Sequence, residues 1–241
     1  MTEAALIVGA GDATGGAIAR RFAREGYVAC VTRRHEEALA PLVAEIEAAG
    51  GQARGFGCDA RDETQTMALI DTIEKEVGPL GVLVFNIGAN VNFPIRETTA
   101  RVYRKVWEMA AFAGFLAGRE AARVMVPRGR GTIIFTGATA SMRGGSGFSA
   151  FAGAKFALRA LAQSMARELG PQGIHVAHSI IDGAIDTAWI RDNFPERYQL
   201  KEQDGILNPE HIADAYWMLH QQPRDAWTHE LDLRPWMERM A

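Results

Sequence analysis

Short apolar runs alternate along the chain with longer segments whose apolar residues recur at helical spacing, such as Leu158, Leu161, Met165 and Leu169. This alternation is typical of repeated βαβ units, in which helices cover both faces of a parallel sheet. We therefore predict a doubly wound α/β fold, a three-layer sandwich around a seven-stranded parallel sheet. The strands are predicted at Ala4–Val8, Val28–Thr32, Ala53–Cys58, Val82–Asn86, Thr132–Thr136, His175–Ile180 and Glu230–Leu233.

Length and composition suit a single domain. The 241 residues, 48% of them hydrophobic, are enough for one full core, so we expect one domain over residues 1–241. The segment 186–208 has no clear period and follows a predicted strand end, where ligands enter parallel sheets. We expect it to form a mobile lid over a small-molecule substrate.

Charge and hydropathy argue against two classes of partner. The net charge is −3 and the basic residues are scattered, so no basic stripe is available for nucleic acid. The longest mostly apolar stretch, Met109–Gly118, is too short to cross a membrane. The chain opens without a basic leader, and Cys30 and Cys58 lack redox or zinc spacing, so we expect a cytoplasmic protein with both cysteines in the core.

A glycine-rich turn, Gly9-Ala10-Gly11-Asp12-Ala13-Thr14-Gly15, follows the first predicted strand and leads into a predicted helix from Gly16 to Glu25. Bare backbone N–H groups and the positive end of a helix together favour an anion, so this arrangement predicts a phosphate site. The spacing differs from GxGxxG, and a tight structural turn is the alternative. The flanking strand and helix favour phosphate binding.

This turn resembles the TGxxxGxG motif of the short-chain dehydrogenase/reductase family, whose outer glycines match Gly9 and Gly15. Val8 replaces the usual Thr, and Ala13 replaces the middle Gly, so a methyl group lies where the backbone approaches the pyrophosphate. The resemblance runs from Leu6 to Leu233 and implies a Rossmann-type fold that binds a nicotinamide dinucleotide. It places the pyrophosphate against Gly9, Gly11, Ala13, Thr14 and Gly15.

The end of the second predicted strand indicates which dinucleotide binds. Arg33 and Arg34 stand where an NAD enzyme of this kind would carry a carboxylate for the ribose hydroxyls. Two guanidinium groups instead suit a 2′-phosphate, which favours NADP and leaves NAD possible. Asp12 opposes this preference, because NADP-preferring family members often have a basic residue in that part of the turn. Solvated arginines at a helix start are the alternative interpretation.

Three further motifs of the family are matched in part. Cys58-Asp59-Ala60 resembles its Asp near the adenine, and Phe85-Asn86-Ile87-Gly88 resembles its NNAG stretch. The stretch 182–187 resembles PGxxxT, which holds the nicotinamide carboxamide, with Asp182 in place of Pro. The resemblance therefore implies further cofactor contacts from Asp59, Ala60, Asn86, Gly88, Gly183, Ile185 and Thr187.

The resemblance also implies a catalytic Tyr and Lys four residues apart on one helix face. Lys155 is present as the expected ribose ligand, but Phe151 takes the Tyr position and has no proton to exchange. Ala138 takes the position of the family's Ser, and Ala111 that of its supporting Asn. A missing general acid costs about 10²- to 10⁴-fold in rate, so activity could be slow without being absent.

Three other side chains are considered as sources of the proton. Thr139 is the nearest hydroxyl that could polarise a carbonyl, although we favour a bond to local backbone. Tyr198 in the lid is a second candidate. His178 is the third, although a lone strand histidine is more often a hydrogen-bonded structural residue.

Three hypotheses follow for the function. The first is an NADP-dependent oxidoreductase acting on a small carbonyl or alcohol. The second is a catalytically degenerate nucleotide-binding protein, a sensor or oligomer partner, and the third is an isomerase or lyase on the same scaffold. A homodimer or homotetramer is expected, because small residues allow close contact along a helix near 107–125 that family members pair between subunits.

Overall fold

A parallel sheet of seven strands forms the middle layer of the molecule, of which the computed structural model describes residues 2–238. The predicted fold class is confirmed, and the ends of the predicted strands shift by two residues at most. The strands are β1 (Ala4–Val8), β2 (Val28–Arg33), β3 (Gln52–Gly57), β4 (Leu80–Phe85), β5 (Gly131–Thr136), β6 (Ile174–Ile181) and β7 (Glu230–Leu233). They pair in the order β3-β2-β1-β4-β5-β6-β7, all parallel.

Helices cover both faces because the strand side chains alternate between two cores. In β1, Leu6 and Val8 join the core on one face, while Ala5 and Ile7 join the core on the other. The first core is covered by the helices Glu63–Glu76, Ala113–Met125 and Ser149–Leu169, and the second by Thr14–Arg24, Ala40–Ala48 and Pro209–His220. The helices are α1 (Thr14–Arg24), α2 (Ala40–Ala48), α3 (Glu63–Glu76), α4 (Ala100–Trp107), α5 (Ala113–Met125), α6 (Ser149–Leu169), α7 (Ala188–Asn193), α8 (Pro195–Tyr198) and α9 (Pro209–His220).

The strand order reverses direction at β1, which pairs with β2 on one side and β4 on the other. In open α/β sheets such a switch point leaves a crevice at the carboxyl ends of the strands, because the connections leave in opposite directions. The glycine turn follows β1 directly at this point. The fold therefore places that turn at the centre of the crevice.

Several local predictions are corrected. Cys58 and Asn86 lie just beyond their strands, and α1 begins at Thr14 rather than at Gly16. The segment 186–208, for which no periodic pattern was found, contains α7, α8 and a 3₁₀ turn at Gln199–Gln203. Its helices are too short for an amphipathic period to stand out in the sequence.

The small residues near 107–125 serve a different purpose from the one expected. Gly114 and Gly118 face the subunit's own interior, where an added Cβ on Gly114 would lie 2.6 Å from Leu158 Cδ1 and 3.2 Å from Phe85 Cε1. The prediction that these small residues mark a face for close contact between subunits is therefore wrong. The other small residues of this stretch, Ala110, Ala111, Ala113 and Ala117, are buried as well.

Both cysteines lie in the hydrophobic core, as expected. Cys30 and Cys58 are buried, unpaired thiols, and burial raises the pKa of Cys30 to about 12 and that of Cys58 to about 11. Both are therefore protonated core residues at neutral pH. Of the helices within residues 2–238, none has the length and apolar content that crossing a bilayer requires.

Gly114 provides a test of the packing between α5 and the sheet. Alanine is ordinarily the better helix former, yet its methyl would overlap Leu158. We expect Gly114→Ala to lower the free energy of unfolding in urea by about 1–3 kcal/mol, as overpacked cores do. The matched control is Gly170→Ala, where an added Cβ meets no atom within 4 Å and φ is −54°. A Gly114→Ala protein as stable as this control would contradict the packing described.

Candidate active site

The glycine turn brings the start of α1 against the end of β1. Gly9 has φ +89°, a left-handed conformation that favours glycine. An added Cβ on Gly15 would lie 2.5 Å from the Gly9 carbonyl oxygen and 2.8 Å from Ala10 Cα, so the helix cannot approach this closely with a larger residue. The glycines at both ends of the turn are therefore required by the backbone itself.

The first turn of α1 is suited to bind an anion. Its first N–H groups have no acceptors within the helix, as at any helix start, and that of Gly16 donates instead to the Gly11 carbonyl oxygen at 2.8 Å. Ala13 stands at the cap position and provides no side-chain acceptor for them. The positive end of the helix therefore opens into the crevice, and the residues present fit a pyrophosphate.

A cavity of about 350 Å³ extends from this turn across the ends of β1 and β2. Gly9 and Ile87 line one end, and Arg33 and Arg34 line the other. Arg33 Nη2 lies 3.2 Å from Oδ1 of Asp12, whose side chain is 95% exposed. A ligand phosphate would therefore compete with Asp12 for the guanidinium group of Arg33.

Asp59 and Ala60 also line this cavity. The Asp59 carboxylate accepts two hydrogen bonds from the Arg61 guanidinium group, Nε to Oδ1 at 2.9 Å and Nη2 to Oδ2 at 2.5 Å. These bonds lower the pKa of Asp59, so the carboxylate stays ionised. Its position beside the cavity agrees with the role that the resemblance implied.

Asn86 fastens the glycine turn to β4. Its Nδ2 donates to the Gly9 carbonyl oxygen at 3.2 Å, and its backbone N–H donates to the Val8 carbonyl oxygen at 2.8 Å. The packing does not require a glycine at Gly88, since an added Cβ there would meet no atom within 4 Å. Asn86 thus has a structural role beside the proposed cofactor site.

Lys155 lies on α6 with its ammonium group beneath the crevice. Nζ donates to the Thr136 carbonyl oxygen at 2.8 Å and to the Ile87 carbonyl oxygen at 3.1 Å, which joins the ends of β5 and β4. An ammonium has three donors, so one remains for a ligand. Burial lowers the pKa of Lys155 to about 7, so it can hold or release a proton near neutral pH.

The side chains at the expected Tyr and Ser positions pack together as an apolar wall. Phe151 packs against Ala138, Ala140 and the neighbouring Phe148. Its ring centroid lies 5.8 Å from Lys155 Nζ. Phe151 in place of Tyr and Ala138 in place of Ser therefore fit each other, because the Phe151 ring packs beside the Ala138 methyl group rather than a hydroxyl.

Ala111, at the expected Asn position, lies in a π-helical turn at Glu108–Phe112 that joins α4 to α5. Such widened turns often occur at functional sites. The Ala111 side chain is buried and offers no polar group. The π-helical turn is thus present, but Ala111 lacks the side-chain amide of the Asn that the resemblance implied.

Thr139 bonds to a distant side chain rather than to local backbone, which corrects the favoured expectation. Its Oγ1 donates to Oδ1 of Asp182 at 2.5 Å. Thr139 follows β5 and Asp182 follows β6, so the two meet because adjacent parallel strands end at the same edge. The sequence shows Asp182 in place of the family's Pro, but no pattern in the sequence links Asp182 to Thr139.

The segment after Asp182 leads into residues 186–208, the predicted lid. Gly183 has φ +146°, and an added Cβ there would lie 2.8 Å from Pro235 Cδ. Ile185 bridges to Leu207 across the two ends of the lid. Thr187 Oγ1 accepts from the Ile190 N–H at 3.1 Å, so in this state the hydroxyl caps α7.

Comparison with known proteins identifies the family. The family model described as short chain dehydrogenase matches residues 3–197. The chain is 33% identical over 204 residues to the short-chain reductase protein NovJ of Streptomyces niveus, which covers 85% of this chain and 76% of that protein. A short-chain dehydrogenase structure from Rhodopseudomonas palustris shares 53% identity with a TM-score of 0.83, covering 97% of this chain and 99% of that one. A metagenomic short-chain oxidoreductase solved with NADP is similar in fold, with a TM-score of 0.80, 24% identity and 97% of both chains covered.

The chain belongs to the short-chain dehydrogenase family. This confirms the resemblance drawn from the motifs. It also supports a short-chain oxidoreductase with a nicotinamide cofactor over a nucleotide-binding protein without chemistry.

Two of the three candidates for the missing proton source, His178 and Tyr198, lie in positions that do not support this role. His178 is fully buried, and among the described residues its ring nitrogens have no hydrogen-bond partner, contrary to the hydrogen-bonded role favoured from sequence. Nδ1 lies 3.4 Å from Glu230 Oε1, and burial lowers the pKa of His178 to about 4, so the ring is neutral and shielded from the crevice. Tyr198 contacts its own lid, where Lys201 Nζ lies 5.7 Å from the ring centroid.

The pKa of Lys155 predicts a pH dependence of stability. The lysine titrates near 7 in the folded protein and near 10.5 when unfolded, so between these values the unfolded chain binds more protons. Stability relative to Lys155→Met should therefore rise with pH in this window, by at most about 1.4 kcal/mol per pH unit. Urea unfolding of both proteins from pH 6.5 to 10 measures the difference. A flat or falling difference would show that the ammonium stays charged in the fold.

The Asp12–Arg33 pair predicts an effect on cofactor affinity. Asp12→Asn frees Arg33 for a 2′-phosphate, so we expect NADPH to bind about two- to fivefold more tightly, as for loss of an exposed ion pair. NADH, which lacks that phosphate, should bind as in the wild type. Asp71→Asn, which removes an exposed carboxylate on α3, is the control. Equal tightening of both nucleotides by Asp12→Asn would exclude this role of Arg33.

Proposed function

We propose that the chain is an NADP-dependent oxidoreductase that transfers a hydride between the nicotinamide and a small alcohol or carbonyl compound. One observation carries the proposal: the cavity is continuous from the glycine turn at Gly9 to Arg33 and Arg34. Such a cavity would accommodate the adenosine half, with the glycine turn beside the pyrophosphate and the two guanidinium groups beside the 2′-phosphate. The fold is one that holds NADP in the metagenomic oxidoreductase.

The chain's own residues would bind and orient the cofactor. Arg33 and Arg34 would hold the 2′-phosphate, and Lys155 would donate its remaining hydrogen to a ribose hydroxyl. The cofactor supplies hydride transfer once bound. The pyrophosphate would lie against Gly9, Gly11, Ala13, Thr14 and Gly15, the adenine near Asp59 and Ala60, and the nicotinamide half near Asn86, Gly88, Gly183, Ile185 and Thr187.

NADP is favoured over NAD on electrostatic grounds. Planar guanidinium groups bind a phosphate through paired, charge-assisted hydrogen bonds. No acidic residue stands at the end of β2, where β2 finishes with Arg33 itself. NAD remains possible with lower affinity, because the glycine turn binds the part that both cofactors share.

The single domain carries a substrate lid over about residues 186–208. Lys201 Nζ binds Asp186 Oδ2 at 2.7 Å, which holds the lid to its own base. Trp236 Nε1 donates to the Gln203 carbonyl oxygen at 3.0 Å, and Arg197 binds Glu238 at 2.7 Å, so the segment near the carboxyl end holds the lid from outside. We propose that opening of these contacts admits a small-molecule substrate.

We also propose a homodimer or homotetramer in the cytoplasm. Four large side chains of α4, α5 and α6 are exposed in the single subunit, namely Tyr103, Trp107, Phe115 and Phe156. Exposed aromatic residues grouped on neighbouring helices are typical of protein interfaces. The two unpaired thiols, Cys30 and Cys58, support a reducing compartment.

Nucleotide titration followed by a turnover screen tests the proposed function. NADPH and NADH fluorescence should show tighter binding of NADPH, and some carbonyl or alcohol should react above the buffer rate. Binding without turnover of any compound would indicate a nucleotide-binding protein instead. Failure to bind either nucleotide would overturn the proposal.

A further inference from the structure

We propose that Asp182 and Thr139 together replace the missing Tyr and Ser hydroxyls, as the proton acceptor for oxidation of a neutral alcohol. The inference rests on the proposed cofactor site and extends it to a substrate class and a preferred direction. It begins from the bond of 2.5 Å between Thr139 Oγ1 and Asp182 Oδ1.

The topology places this pair at the nicotinamide half of the crevice. The cavity with Arg33 and Asp59 lies over the ends of β1, β2 and β3, and the anion-binding turn lies at the switch point. An extended dinucleotide bound across a switch point must continue over the strands on the other side. Those strands are β4, β5 and β6, whose ends carry Lys155 Nζ, Thr139 and Asp182.

Other side chains at the ends of these strands are not available to accept the proton of the alcohol. Phe151 and Ala138 form the apolar wall, and Ser141 is fully buried with its Oγ accepting from the Ala138 N–H. His178 lies below the surface of the crevice. Thr139, in contrast, is half-buried, and its hydroxyl donates to Asp182.

The charge of Asp182 has a direct consequence for ligand choice. Its side chain belongs to a residue only 6% exposed, and within residues 2–238 no Lys, Arg or His nitrogen lies within 4 Å of its carboxylate. A buried carboxylate without a cation is costly, and a cationic ligand group nearby relieves that cost. The nicotinamide ring is cationic when oxidised and neutral when reduced. Asp182 should therefore favour the oxidised cofactor and disfavour anionic substrates.

The hydroxyl of Thr139 can pass a proton because it both donates and accepts. In the forward step the O–H bond of the alcohol breaks and its proton moves to Thr139 Oγ1. The original Thr139 proton moves to Asp182 Oδ1, and the oxidised cofactor, when bound, would accept the hydride from the alcohol carbon. The products are a carbonyl compound, reduced cofactor and a protonated Asp182, which returns its proton to solvent.

Cofactor affinities test the charge of Asp182 independently of activity. We expect Asp182→Asn to weaken binding of NADP⁺ about tenfold relative to NADPH, measured by calorimetry, because only the oxidised ring is cationic. Asp71→Asn makes the same chemical change on α3 and should leave the ratio unchanged. A merely structural Asp182 would alter both affinities equally, and an unchanged ratio in Asp182→Asn overturns the proposal.

Turnover of neutral and anionic alcohols tests the proton transfer. With NADP⁺, wild-type protein should oxidise neutral probes such as cyclohexanol or 2-butanol in preference to lactate. Thr139→Val and Asp182→Asn should lower kcat about 10²-fold or more, while Thr139→Ser, which keeps the hydroxyl, should stay within about threefold of wild type. Thr139→Val also keeps the proposal testable if Asp182→Asn does not fold.

The outcomes separate this inference from the proposed function. Wild-type protein that binds neither nucleotide rejects both. Wild-type protein that binds both nucleotides, with variants that alter neither the affinity ratio nor kcat, rejects only the roles of Asp182 and Thr139. Oxidation of lactate ahead of the neutral alcohols would likewise reject the substrate class.

Discussion

The close approach of α1 to the end of β1 is the constraint on which the rest of the structure depends. It is possible only because Gly15 has no side chain to meet the Gly9 carbonyl oxygen, and because Gly9 adopts a left-handed backbone conformation. Asn86 then fixes the same carbonyl to the end of β4. These contacts place the start of α1 at the switch point, where the positive end of the helix favours a bound anion.

Binding and proton transfer have different structural bases in this chain. Lys155 joins the ends of β4 and β5 through two carbonyl oxygens, so it contributes to the crevice even without a ligand. The positions that resemble the family's hydroxyl pair are filled by Phe151 and Ala138, which pack against each other. Thr139 and Asp182 instead form a hydrogen-bonded pair at the same edge of the sheet. The frame for a cofactor is therefore retained while the surroundings of the substrate have changed.

The sequence was sufficient for the sheet because a strand buried on both faces is a nearly continuous apolar run, as in β1 and β4. It was sufficient for the glycine turn because the signals there are local. It could not reveal that Thr139 meets Asp182, since that contact joins residues 43 apart through strand pairing. Likewise, the composition of α5 showed small residues but not whether Gly114 faces the sheet or a second subunit.

The central claim, that the amides at the start of α1 bind the pyrophosphate, is tested most directly by NMR of ¹⁵N-labelled protein during NADPH addition. The account predicts that the largest amide shifts fall between Gly11 and Gly15, with further shifts around Arg33. Saturable binding that leaves the amides of Gly11–Gly15 unshifted would contradict it.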